Sequence, residues 1–171
     1  MSFSFDTKNE LCRLPVQKLC CARAEAYGIL LYCHTFNSRE VRIITESGDF
    51  AARLPKLFHK AFGVKFDRVP EEKAGKGKLI FGITEPDKLE KIINILGYDV
   101  RQLTALHVNF GLLERGCCRT AFLRAAFLAG GCVTDPEKRY HLELATSHVP
   151  GSREVQALME EIGFLPRTIR R

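Results

Sequence analysis

The sequence predicts an α+β fold made of two related units, each an α-β-α-β-β-α repeat. Two observations carry this. First, CCARAEAYGILLYCHTF (Cys20 to Phe36) aligns without a gap on CCRTAFLRAAFLAGGCV (Cys117 to Val133), vicinal cysteines on vicinal cysteines, at an offset of 97. Ala24 then falls on Ala121, Ala26 on Leu123, Gly28 on Ala125, Leu30 on Phe127 and Leu31 on Leu128. Second, RIITES (Arg42 to Ser47) falls on LELATS (Leu142 to Ser147), and KAFGV (Lys60 to Val64) on EEIGF (Glu160 to Phe164), both at an offset of 100. Three blocks in the same order, with one loop three residues longer, mark a duplication of a unit of roughly a hundred residues and not a short solenoid period.

The elements follow in chain order. Lys18 to Cys33 reads as a helix, with good helix formers and small residues spaced at three and four. Asn37-Ser38 is a turn, and β-branched Val41 to Thr45 is a strand. Asp49 to Phe62 places Leu54, Leu57, Phe58, Ala61 and Phe62 on one helical face, with Pro55 near its start as a shift signal and Gly63 as its stop. Val64 to Val69 and Lys78 to Ile83 read as two strands joined by the charged loop PEEKAGKGK. Pro86 suits a first helical turn and opens a helix to Leu96, closed by Gly97. Residues 97–113 form a partly helical connection between a first repeat, 1–96, and a second, 114–171. The second repeat offers a helix over 118–130, a strand over 140–146 and a helix over 152–162. It is then a hairpin strand and a helix short of its partner, which reads as a fragment of a longer protein.

Ala24, Ala26 and Gly28 in one helix, and Ala121, Ala125, Ala126, Ala129 and Gly130 in the other, are small enough for two backbones to approach closely. The prediction is that these two helices pack on each other at a pseudo-twofold centre.

Composition bounds the function. An apolar fraction of 46% and a charged fraction of 27% describe a folded, soluble chain. The net charge of +6 permits a polyanionic partner without selecting one. No segment reaches the about 18 apolar residues of a membrane span, and the N-terminus is charged from the start. The seven cysteines are expected to be reduced, in a cytoplasm. None forms a C-x-x-C, and the spacing fits no common zinc pattern, so they read as small buried residues near helix starts, with no metal or other cofactor.

At FLRAAFLAGGCV the residues resemble a LAGLIDADG motif of the form F-L-A-G-F-I-D-G-D-G-S-F, with Phe122, Leu123 and Gly131 matching; EAYGILLYCHTF resembles a more decayed copy, with Gly28 and Phe36 matching. The block CCRTAFLRAAFLAGGCVTDPEKRYHLELAT (Cys117 to Thr146) is similar to the WhiA family of bacterial transcription regulators, and the resemblance extends over essentially the whole chain. It implies a duplicated homing-endonuclease-like fold, with antiparallel saddle-shaped sheets over paired motif helices. It further implies a regulator of sporulation and cell-division genes, nucleoid-associated, and a C-terminal helix-turn-helix domain that these residues do not contain.

Nucleases of that fold place one carboxylate at the base of each motif helix, to share divalent metal ions. Here those positions are Cys33 and Gly130, and neither suits a hard cation. Asp135 and Glu25 are not placed to compensate, and Cys33-His34 has no orienting acid beside it, so no catalytic residue is assigned. What remains is binding to double-stranded DNA. The candidates for phosphate contact are Arg39, Arg42, Lys65, Arg68, Lys76, Lys78, Lys138, Arg139, His141, Arg167, Arg170 and Arg171. The alternative is a protein-interaction module that holds another regulatory protein or the sigma-factor machinery, while the helix-turn-helix reads DNA.

Overall fold

A computed structural model describes residues 2–16, 18–71, 77–99 and 106–169. Lys76, Arg170, Arg171, most of the charged loop before Lys78 and part of the 97–113 connection lie outside the described residues.

The first helix, α1 (Phe3–Leu11), has no counterpart in the sequence reading. The Ser2 hydroxyl caps it by accepting from Phe5 N. It buries no residue fully. It lies across elements of both repeats, where Ser4 Oγ accepts from Val133 N and the Lys8 ammonium stands 5.5 Å from the Phe127 ring centre.

Helix α2 (Leu19–Tyr32) matches its expected bounds to one residue at each end and is buried on every side from Ala24 onward. Strands β1 (Thr35–Phe36) and β2 (Val41–Thr45) form a hairpin whose turn is held by Asn37 Oδ1, which accepts from Arg39 N and Glu40 N. Helix α3 (Gly48–Phe62) starts well before Pro55, because the Ser47 hydroxyl caps it by accepting from Phe50 N. The proline therefore sits in its interior and does not mark its start. The helix ends at Gly63, whose φ of 69° is the left-handed conformation that glycine adopts without a Cβ penalty. Strand β3 (Leu79–Ile83) completes an antiparallel sheet in the order β1-β2-β3, with Arg42 opposite Gly82 and Ile44 opposite Ile80.

The expected strand over Val64 to Val69 is not formed. Its ladder is a single bridge between Arg68 and Gly82. The segment is fixed instead by its side chains. The Phe66 ring packs between Phe58 and Phe81, with centres 4.8 and 5.1 Å away. Asp67 turns toward helix α4 (Pro86–Ile95), accepting from Thr84 N and Glu85 N and pairing with Lys88 at 2.6 Å. Glu85, the residue at the cap position, makes no side-chain cap, so the aspartate of another segment does it.

After a short 3-10 turn (Phe110–Leu113), the second repeat runs α5 (Gly116–Gly130), β4 (Gly131–Val133), β5 (Leu142–Leu144) and α6 (Val149–Glu161). β4 and β5 pair antiparallel, with Cys132 opposite Glu143. β4 was not expected as a strand, and β5 is shorter than the 140–146 reading, because the Tyr140 side of the hairpin is open to solvent. α6 begins three residues early, since Pro150 fits a first turn as well as an ordinary residue does. Gly163, which falls on Gly63 in the repeat, also has a positive φ, 102°.

The centre of the molecule is the α2–α5 pair. A Cβ at Gly28 would lie 2.3 Å from the Phe122 carbonyl oxygen, so the backbones touch there. The Tyr27 and Phe122 rings pack at 5.3 Å beside that contact. Their N-terminal ends meet at the cysteines and their C-terminal ends at Tyr32 and Gly130, so the two helices run side by side in the same direction. The three-stranded sheet buries Val41, Ile43, Phe81 and Ile83 toward the core.

Candidate nucleic-acid interface

The C-terminal ends of α2 and α5 are where the resemblance puts its carboxylates. Cys33 is buried there, and its thiol donates to the carbonyls of Leu30 and Thr35 at 3.4 and 3.3 Å. Burial pushes its pKa up to about 12, which keeps it a neutral thiol and not a nucleophile. The neighbouring His34 ring bonds Thr35 Oγ1 instead of the sulfur. At Gly130 a Cβ would come within 2.5 Å of the Ala145 carbonyl oxygen and 2.8 Å of that of Tyr32. The position has no room for a carboxylate, and the absence of an acid is built into the backbone packing.

The buried acid nearest this centre is already bound. Glu25 is 1% exposed. It takes a two-pronged ion pair from Arg53 (Nε to Oε2 2.8 Å, Nη2 to Oε1 2.9 Å) and a further contact from Arg124 Nη2 at 3.1 Å. The Arg53 guanidinium, which also donates to the carbonyls of Cys12 and Leu14, has its pKa raised chiefly by its hydrogen bond to Glu25. Sequence reading gave Glu25 no partner. Two arginines, 28 and 99 residues away, could be assigned only from the fold. Asp135 caps its own turn, accepting from Glu137 N at 3.0 Å.

The basic candidates separate into three groups. Alternation along β2 and β3 puts Arg42, Ile44, Gly82 and Ile80 on the side opposite the buried Val41, Ile43, Phe81 and Ile83, and exposed Lys78 immediately precedes β3. Thr35 pairs with Arg42, Arg42 with Gly82, and Gly82 bridges to Arg68, so one row across the sheet reads Thr35, Arg42, Gly82, Arg68. Two arginines thus flank a residue without a side chain, and Arg68 Cβ lies 3.4 Å from where a Gly82 Cβ would stand. Arg42 also pairs with Glu40 at 3.0 Å, both partly exposed. Arg39 and Lys65 are exposed in the turns bordering this sheet. A second group lies on the β4–β5 hairpin: Lys138 and Arg139, whose amides donate to Asp135 O, and His141, 3.3 Å from Glu143. Arg167 is exposed beyond α6. What sequence reading could not supply was the row itself, because Gly82 carries no charge and the partner of Arg42 depends on strand register.

The comparisons with known proteins agree with this architecture. Residues 119–171 match the model of the WhiA LAGLIDADG-like domain. Over its full length the chain is 31% identical to a probable cell division protein WhiA of Ruminiclostridium cellulolyticum, covering 57% of that protein. It is 33% identical to one of Alkaliphilus oremlandii, covering 58%. The chain thus spans little more than half the length of the curated relatives it matches. Among solved structures, 94% of the chain superposes on 49% of full-length DUF199/WhiA from Thermatoga maritima, with a TM-score of 0.62 at 22% identity. The same share superposes on 72% of the N-terminal LAGLIDADG domain of DUF199/WhiA, with a TM-score of 0.64 at 21% identity. No helix among the described residues is long and apolar enough to cross a membrane. With a duplicated helix pair, antiparallel sheets and these likenesses, the chain is similar to WhiA proteins over the part that carries their LAGLIDADG-like domain.

Proposed function

We propose that this chain is the DNA-contacting part of a transcription regulator of sporulation and cell division, and that it grips duplex phosphates without cutting them. The observation that carries the reading is the Arg42–Gly82–Arg68 row on the outward face of the three-stranded sheet, in a chain of net charge +6. Arginines on either side of β3 present several donors to a phosphate backbone. Exposed Lys78, immediately before β3, and Arg39, Lys65, Arg139, His141 and Arg167 supply further cationic or hydrogen-bonding groups from the loops. Cleavage chemistry is unsupported because the two motif-end positions hold Cys33 and Gly130, and the buried Glu25 is bound by two arginines.

Fluorescence anisotropy of a labelled duplex, titrated with the chain at two salt concentrations, tests this. Binding that weakens steeply with salt is expected, since released counterions dominate phosphate contacts. Absence of binding at low salt overturns it. The second reading, a protein-docking module, draws on the exposed apolar residues Ile162, Phe164, Leu165 and Ile169, of which Leu165 is 94% exposed. It predicts no duplex binding by this part alone.

A further inference from the structure

We propose that Cys20, Cys21, Cys117 and Cys118 form a binding site for one zinc ion, which ties the two repeats together at the N-terminal ends of α2 and α5. This is independent of the DNA-binding reading. The site lies at the opposite ends of the paired helices from Cys33 and Gly130, about 20 Å away at 1.5 Å per helical residue.

The geometry is the first argument. The four sulfurs lie within 4.8 Å of one another. A tetrahedral zinc–thiolate centre with bonds of about 2.3 Å holds its sulfurs about 3.8 Å apart, so small rotamer changes suffice. Iron–sulfur clusters bind their cysteines through different irons and need a wider cage. Convergence of four sulfurs, rather than pairing in twos, also points away from disulfides. Each vicinal pair occupies the second and third residues of its helix, and the duplication brings the two pairs face to face. No short-range spacing rule could find this set, because its halves are 97 residues apart and meet only through the pseudo-twofold. Its exposure also differs from the sequence expectation of small buried residues: Cys118 is buried, Cys20 and Cys21 are partly buried, and Cys117 is exposed.

The helix ends give the second, independent argument. Neither α2 nor α5 has a side-chain cap at its N-terminus, and neither has an acidic residue in its first turn. Two positive helix ends therefore meet without an acidic residue in either first turn, which favours thiolate at the cysteines. Each thiol that ligates a divalent ion releases its proton to solvent. Zinc is preferred over magnesium or calcium because all four donors are soft sulfur.

The test is metal analysis of the whole chain purified under reducing conditions, followed by cobalt titration of metal-free protein. About one zinc per chain is expected, with cobalt giving the strong thiolate charge-transfer and tetrahedral ligand-field bands of a four-sulfur site. Cys20→Ser and Cys117→Ser should each weaken cobalt binding at least tenfold and change the spectrum. Cys132→Ser, outside the cluster, should do neither. Cys117 is exposed, so its variant is expected to keep the fold, with circular dichroism as the check. A reduced chain with no zinc and no cobalt–thiolate bands overturns the proposal. So do thiolate bands that persist unchanged in both cluster variants, and disulfides within the cluster in freshly isolated protein.

Discussion

At the scale of single residues, the most consequential side chain is one the sequence did not single out as structural. Glu25 is a charge buried between α2, α3 and α5, and both of its oxygens are engaged by arginines. Removing one member of such a set leaves the others desolvated and unmatched, which typically costs about 3–5 kcal/mol. Glu25→Gln keeps the shape and removes the charge, so urea unfolding should show a loss of about 3 kcal/mol. A change below about 1 kcal/mol would mean that the three groups are solvated in solution. His148 makes a prediction of the opposite chemical kind. Its ring packs edge-on against Phe36, its Nε2 is buried without a hydrogen-bond partner among the described residues, and burial lowers its pKa below the ordinary 6.5. The unfolded chain therefore binds this proton first as the solution is acidified. Stability attributable to the residue is complete above about pH 6.5, falls between there and the lower folded pKa, and then levels off. His148→Phe should flatten that part of the stability–pH curve, measured by urea midpoints between about pH 7.5 and about pH 5.5. An unchanged slope would mean that the ring is hydrated.

At the scale of elements, the duplication was the most legible feature, because it is written twice. The helices α2 and α5 follow from one alignment, and α3 and α6 from another, down to a positive-φ glycine closing each second helix, although α6 starts three residues before its expected bound. The pairing of α2 with α5 was legible in the small residues at Gly28, Ala125 and Ala126, which are in contact. The misreadings have physical causes. α1 lacks an apolar face and takes its place from a serine cap and contacts across the repeats. Val64 to Val69 has strand composition, but Phe66 packing and Asp67 capping fix it without a ladder. β1 and β4 are two and three residues long, too short for any periodicity to show. The close helix contact yields a test. Gly28→Leu drives a side chain into the Phe122 carbonyl and must part the helices, so a loss of at least about 2 kcal/mol is expected in thermal or urea melts. Gly48→Ala, where a Cβ meets nothing within 4 Å, should change little.

At the scale of the whole molecule, the question is whether the net charge of +6 is spread over the surface or works as one face. Composition alone could not separate these, and the list of basic residues read from the sequence held no geometry. Register supplies it for part of the list: Arg42 and Arg68 fall on one outward sheet face and Lys78 immediately precedes β3, while Arg139, His141 and Arg167 stand on other elements. If the sheet meets the duplex, each arginine that contacts a phosphate contributes about one unit to the slope of log affinity against log salt. Arg42→Gln with Arg68→Gln should then lower the slope by about two and weaken binding equally for all duplex sequences. On that reading Arg42 would give up its Glu40 pair to reach a phosphate, so Glu40→Gln should strengthen binding modestly at low salt. A double variant whose slope matches the parent would move the contact surface away from the three-stranded sheet, to the β4–β5 hairpin and the segment after α6. There, Arg139→Gln with Arg167→Gln should reduce the slope instead.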